Sequence, residues 1–72
     1  MSKSTDNIVR MIKAGGNLSI NAKSKSTDSL IRIVKTAIKE DMNITLRNLE
    51  NKSTDSLIRI IKVGKDKLTI EI

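Results

Sequence analysis

One nine-residue phrase, KSTDSLIRI, occupies residues 25–33 and recurs unchanged at residues 52–60, while a looser copy, KSTDNIVRM, occupies residues 3–11. The copies begin 22 and then 27 residues apart. Repeats of this length usually mark one supersecondary unit that is stacked several times. We therefore predict a single domain over residues 1–72 that contains three units. The units span residues 3–24, 25–51 and 52–72.

Each copy of the phrase carries the signal of a helix start. A Ser-Thr-Asp triplet offers a hydroxyl that can cap free backbone N–H groups, and its aspartate lies at the positive end of the helix dipole. The triplets are Ser4-Thr5-Asp6, Ser26-Thr27-Asp28 and Ser53-Thr54-Asp55. Apolar residues then follow at helical spacing. They are Ile8, Val9, Met11 and Ile12 in the first unit, Leu30, Ile31, Ile33, Val34, Ala37 and Ile38 in the second, and Leu57, Ile58, Ile60 and Ile61 in the third.

Glycines and a change of period mark where each helix ends. Gly15-Gly16 and Gly64 are expected to take the left-handed conformation of a helix C-cap. The second unit has no glycine there, and its helix is predicted to end before Asp41, which would otherwise fall on the apolar face. After each stop the period changes from 3.6 to 2, as a strand requires. The alternating segments read NLSINA, NITLR and KLTIEI.

The predicted fold class is α/β, with three αβ repeats that form a small, mostly parallel three-stranded sheet in a solenoid-like arrangement. Crossover connections of one hand place all the helices on one face of the sheet. Because the strands alternate rather than run continuously apolar, the second face is expected to be open or only lightly covered. It would carry two rows of candidate binding residues, Ser19, Thr45 and Thr69 in one row and Asn21, Arg47 and Glu71 in the next. Arg47 and Glu71 are expected to pair across neighbouring strands.

The segment STDSLIRIIKVGKDKLTIEI, with its capped helix start, short amphipathic helix and alternating strand, resembles the helical form of leucine-rich repeats and small bacterial α/β repeat proteins. The resemblance covers nearly the whole chain. It departs from the family where an Asn or Cys ladder should follow the strand, because those places hold Lys23 and Leu49. What the resemblance implies is a protein-binding surface on the strand face.

The basic residues are concentrated at repeated positions. Nine of the fourteen Lys and Arg residues recur in all three units, and the net charge is +6. Side-by-side helices would align them into a basic stripe, a candidate polyanion-binding site in which each neutralised phosphate releases counterions. The candidate residues are Arg10, Lys13, Arg32, Lys35, Lys39, Arg59 and Lys62. The alternative is a solubilising helix face with pairs inside each helix, because each Asp stands four residues before an Arg. The pairs would be Asp6–Arg10, Asp28–Arg32 and Asp55–Arg59.

Several functional classes lack the residues that they need. The chain has no Cys, His, Phe, Tyr or Trp, so thiol and imidazole chemistry, the usual zinc ligands and aromatic stacking on nucleic-acid bases are all missing. The KST triplets are not preceded by the glycine-rich loop of a phosphate-binding P-loop. We therefore expect no catalytic site, no metal, no cofactor and no small-molecule substrate, and predict that the protein is not an enzyme.

The preferred functional prediction is a small binding module that forms homo-oligomers or docks onto a larger protein. A chain this short has a marginal core, and without disulfides or metals the remaining source of stability is association. Open edge strands at about 18–22 and about 67–72 attract pairing, with the more apolar third strand favoured. The alternative is a sequence-independent nucleic-acid or polyanion binder. No apolar run reaches signal-peptide or membrane-span length, so no membrane contact and a cytoplasmic location are expected.

Overall fold

The computed structural model of the chain describes residues 4–71. Lys3 and Ile72, which the repeat pattern assigns to the first unit and the third strand, lie outside the described residues. Helix and strand alternate three times, as predicted. The elements are α1 at Thr5–Lys13, β1 at Leu18–Asn21, α2 at Thr27–Lys39, β2 at Ile44–Arg47, α3 at Thr54–Gly64, a 3-10 turn at Lys65–Lys67, and β3 at Leu68–Glu71.

All three helices begin as the Ser-Thr-Asp triplets predict. The hydroxyl oxygens of Ser4, Ser26 and Ser53 each accept a hydrogen bond from the backbone N–H three residues later, at 3.2, 3.1 and 3.1 Å. The capping serines have extended backbone angles, and an aspartate lies in the first turn of each helix. Such a cap typically contributes about 1 kcal/mol, so each unit carries its own local signal for starting a helix.

The three strands form one parallel sheet in the order β1-β2-β3. The register aligns the repeated strands position by position, so that Ser19, Thr45 and Thr69 form one row across the sheet. Asn21, Arg47 and Glu71 form the next polar row. The α/β class and the parallel three-stranded sheet that the sequence predicts are therefore confirmed.

The core lies between the helices and one face of the sheet. Residues from all three helices join the alternating strand residues Ile20, Ile44 and Leu46 in one buried cluster. Leu30, Ile33 and Val34 of α2 are fully buried, and α2 packs against both α1 and α3. None of the polar residues in the range 4–71 is buried. The opposite face of the sheet, where Ser19 and Thr69 are exposed, is therefore the polar one.

The helix stops differ from the prediction at one glycine. Gly15, after α1, has a φ of 101° and takes the expected positive backbone angle, whereas Gly64 has a φ of −82° and is the last residue of α3. A Cβ atom at Gly64 would lie 2.5 Å from the Cβ of Leu68 and 3.0 Å from a methyl carbon of Val34. The prediction of a left-handed Gly64 was wrong because this glycine serves close packing, and Lys65 takes the positive φ instead.

Candidate functional site

The polar face of the sheet brings the six predicted strand-face residues into two adjacent rows. They are exposed or half-buried, and Arg47 donates from its Nε to the Ser19 hydroxyl at 2.8 Å. The register sets Arg47 beside Glu71, but these two described residues form no ion pair. The expected Arg47–Glu71 pair was wrong because the guanidinium turns towards β1 rather than β3. Arg47 thus joins the second unit to the first.

Side-chain amides after the strands form a second connection between these units. Asn48, which has a φ of 61°, donates from its Nδ2 to the side-chain oxygen of Asn21 at 3.0 Å. The same oxygen accepts from the backbone N–H of Lys23 at 3.1 Å, and Asn51 donates to the Lys23 carbonyl at 3.4 Å. Sequence reasoning missed this cluster. The available signal was an asparagine directly after a strand, where a positive φ favours Asn.

The repeated charges pair between helices rather than within them. Arg32 of α2 lies 2.8 Å from the Asp6 carboxylate of α1, and Arg59 of α3 lies 3.6 Å from the Asp28 carboxylate of α2. The predicted pairs inside each helix were wrong, because neighbouring parallel helices bring the first-turn aspartate of one within reach of the long arginine of the next. The first and second units therefore each provide an aspartate to the following unit, and the second and third each provide an arginine to the preceding one.

The basic stripe is consequently a mixed surface. Its four lysines are exposed and form no ion pair within residues 4–71. They are Lys13, Lys35, Lys39 and Lys62. Between α2 and α3 the surface forms an open depression of about 470 Å³. Its lining comprises Asp28, Ile31, Arg32, Lys35, Thr36 and Arg59. A polyanion bound there would meet three cations and also the Asp28 carboxylate, which opposes its binding.

One further ion pair connects the end of α2 to the turn before β3. Lys67 Nζ lies 2.8 Å from the Asp41 carboxylate. Asp41 follows the C-terminal end of α2 and has a positive φ of 57°. The hydrogen bond and the charge of Lys67 hold the pKa of the Asp41 carboxyl below its ordinary value. In return, the hydrogen bond and the charge of Asp41 raise the pKa of the Lys67 ammonium group.

The outer side of α3 carries the exposed large hydrophobic side chains of residues 4–71. Ile58 and Ile61 are 43% and 47% exposed, although the repeat pattern places both on the predicted apolar face of the helix. Asp55 lies on the same helix, one turn before Ile58, and forms no ion pair among the described residues. We call Asp55, Ile58 and Ile61 the tail face.

At the opposite end of the row of helices, the surface of α1 forms an open depression. It measures about 460 Å³. Its lining residues are Asn7, Arg10, Met11 and Ala14, which we call the head face. Met11 is half-buried there, whereas the equivalent Ile33 and Ile60 are fully buried. Arg10 is exposed and forms no ion pair within residues 4–71.

The described part of the chain contains no cluster of three or more acidic, His or Cys residues that could hold a metal ion. None of its helices combines the length and the apolar character that crossing a membrane requires. No known protein family, curated protein or solved structure matches the chain. The candidate functional surfaces are therefore the strand face, the basic stripe, and the head and tail faces.

Proposed function

We propose that this chain is a small non-enzymatic α/β repeat module that binds protein, by self-association or by docking onto a larger protein, through the open ends of its row of units. The observation that carries the proposal is the tail face. Ile58 and Ile61 are exposed by nearly half, and removing such aliphatic side chains from water stabilises an association. The proposal includes the cytoplasmic location that the sequence analysis predicts.

The sheet edges support the same proposal. Within the described residues β1 and β3 each pair on one side only, so each presents a row of unpaired backbone donors and acceptors. Open edges of this kind recruit a further strand unless charges or proline block them. The edge of β3 carries the partly buried Leu68 and Ile70, which extend the apolar surface of α3 towards the sheet. A partner that covers α3 can therefore also continue the sheet.

Sedimentation over a concentration series from micromolar to millimolar tests this function. We expect the weight-average mass to rise above that of the 8.0 kDa monomer. Far-ultraviolet circular dichroism of the same samples should show that the chain is folded at each concentration. A folded monomer over the whole range would contradict the self-associating form of the proposal.

A second candidate function rests on the exposed lysines of the basic stripe. Four exposed lysines outside ion pairs, on a chain of net charge +6, favour contact with a polyanion such as nucleic acid. Such contact would be directed to phosphates and largely independent of base sequence. The competing acidic residues Asp6 and Asp28, which already engage two of the arginines, count against it.

Fluorescence anisotropy of a labelled duplex DNA and a labelled RNA, titrated with the protein at low and near-physiological salt, separates the two candidates. A polyanion binder should lose affinity steeply with salt, at a slope of about −0.9 per DNA phosphate contacted. Replacing the stripe lysines with Gln should then weaken binding while circular dichroism still shows a folded chain; these are Lys13, Lys35, Lys39 and Lys62. Absence of binding at low salt would reduce the basic stripe to a solubilising surface.

A further inference from the structure

The two joints between neighbouring units are built from the same interactions. At each joint, an aspartate in the first turn of the earlier helix pairs with an arginine of the later helix. The pairs are Asp6 with Arg32 at 2.8 Å and Asp28 with Arg59 at 3.6 Å. The strands on either side of each joint pair in parallel and in the same register. The chain therefore contains two examples of how one unit receives the next.

The two ends of the row carry the two halves of such a joint. Asp55 of α3 is the third aspartate of the series, but no further α-helix follows α3 within residues 4–71, and Asp55 forms no ion pair in that range. Arg10 of α1 is the first arginine, no helix precedes α1 within residues 4–71, and Arg10 forms no ion pair there. The tail face thus presents a free carboxylate and the head face a free guanidinium, which makes the two faces complementary in charge.

The apolar residues around these charges are also exposed at the two ends of the row and buried at the interior joints. Ile12 and Val34, which the next helix covers, are 1% and 0% exposed, but the equivalent Ile61 is 47% exposed. On the receiving side, Ile33 and Ile60 are fully buried at the joints, while the equivalent Met11 of the head face is only half-buried. Each end therefore exposes side chains whose equivalents are buried at both interior joints.

We infer that copies of this chain stack head to tail, with the tail face of one copy on the head face of the next. Asp55 pairs with Arg10 of the next copy, and Ile58 and Ile61 pack around its Met11. The edge of β3 then pairs with β1 of the next copy in the register of the existing joints, so that Leu68 lies beside Leu18. This inference rests on the proposed protein-binding function and names the partner as a second copy.

A second copy fits the tail face because the head face has the residue types that already fill this position. At each interior joint the later unit supplies an ion-paired arginine and a fully buried isoleucine, Ile33 or Ile60, and the head face supplies Arg10 and Met11 at the equivalent positions. Because the contact joins two different surfaces, two copies joined in the geometry of the existing joints still have one open tail face and one open head face. The assembly should therefore grow with concentration instead of stopping at a dimer.

Charge reversal tests the stacking directly. Asp55→Arg and Arg10→Asp each set like charges against each other at the joint, so each variant alone should associate about two- to thirtyfold more weakly than the unmodified chain. In an equal mixture of the two variants, Arg at position 55 of one chain meets Asp at position 10 of the other. The joint from the second chain back to the first keeps its original pair. The mixture should therefore associate within about twofold of the unmodified chain.

A substitution at an apolar position of the tail face should have a larger effect, and a second substitution controls for the added charge. Ile61→Lys on the tail face should weaken association by about tenfold or more, because it removes an aliphatic side chain from the buried contact. Asn43→Lys, at an exposed position of the second unit, adds the same charge away from both ends and should leave association unchanged. Circular dichroism melting of each variant, measured in dilute solution, establishes that it is folded.

Sedimentation of the variants and of the mixture separates failure of the stacking from failure of the proposed function. Weak single variants with a restored mixture support the stacking. If the unmodified chain associates but both reversals and Ile61→Lys associate equally well, the head-to-tail contact is overturned while self-association stands. A mass that stops at the dimer also overturns it. If the unmodified chain remains a folded monomer at every concentration, both the stacking and the self-associating function fail.

Discussion

Ile12 and Ile61 occupy the same position of the first and third helices, yet Ile12 is 1% exposed and Ile61 is 47% exposed. The residue type, the repeat position and the amphipathic pattern around them are the same. What differs is the neighbour, because α2 packs against α1, whereas no helix within residues 4–71 follows α3. The comparison teaches that, in a row of repeats, the burial of a side chain is decided by the next unit and not by its own.

The largest expected effect comes from truncating each of these isoleucines to alanine. Ile12→Ala should lower the free energy of unfolding by about 2–5 kcal/mol, because it leaves a cavity in the core. Ile61→Ala should cost less than about 1 kcal/mol, since nearly half of the side chain already faces water. Urea denaturation followed by circular dichroism, in dilute solution, measures both. Equal losses would show that α3 is covered even in the monomer.

Two glycines at equivalent repeat positions sharpen the comparison. Gly64→Ala should destabilise the protein by about 1–3 kcal/mol, because the new methyl group would collide with Leu68. Gly15→Ala should also be destabilising, but through its positive φ of 101°, since nothing lies within 4 Å of the place that the new methyl group would take. Gly16→Ala, with its nearest contact at 3.5 Å, is the matched control and should change stability little. A stabilised Gly64→Ala variant would contradict the close packing of α3 on β3.

The arginines allow a smaller test of the same idea. Arg32→Gln removes the 2.8 Å pair with Asp6 and should cost about 0.2–1 kcal/mol, the usual range for exposed pairs. Arg10→Gln should cost nothing measurable in dilute solution, because Arg10 pairs with no described residue there. Thermal melts at low and high salt compare the two variants, and high salt should remove the difference. A cost for Arg10→Gln equal to that for Arg32→Gln would mean that pairing between units adds no stability.

The smallest expected effect concerns the Asp41–Lys67 pair. Because the pKa of Asp41 is lowered in the folded protein, its contribution to stability is present above the ordinary value of 3.8 and is lost as the pH falls through the lower folded value. The raised pKa of Lys67 makes its contribution disappear as the pH rises above 10.5. Thermal melts of the unmodified chain and Asp41→Asn should therefore differ most near neutral pH and converge at both extremes. Asparagine tolerates the positive φ at this position, so the backbone is unchanged.

What the sequence could predict depends on the distance over which each feature is determined. The serine caps act within three residues, and the alternation of β2 is read from Ile44 and Leu46 alone, so the helix starts, the element order and the parallel sheet were all predictable. The partners of Arg32 and Arg59 were not, because two aspartates lie within reach of each arginine and only the packing of the helices chooses between them. Gly64 was misread for a similar reason, since Leu68 and Val34 determine its role.

The candidate surfaces show the same limit. The polar rows of the strand face follow from alternation and were placed correctly, as the alignment of Ser19, Thr45 and Thr69 shows. The head and tail faces were missed, because the apolar pattern assigns Ile58 and Ile61 to the core just as it assigns Ile31 and Val34. The order of the repeats predicted open edges at the first and third strands, but it did not indicate that the outer side of α3 would stay exposed. The exposure of Ile58 and Ile61 is visible only once the units have been placed side by side.

The repetition of the Asp–Arg joint also bears on how such a protein can change its length. Because both joints use the same Asp–Arg pairing and the same strand register, tandem duplication of the coding segment for residues 25–51 would insert a unit whose joints repeat pairings that are already present. Each insertion would add one strand, one helix and one ion pair. Chain length can thus vary in steps of one unit without changing the kind of contact that joins neighbouring units.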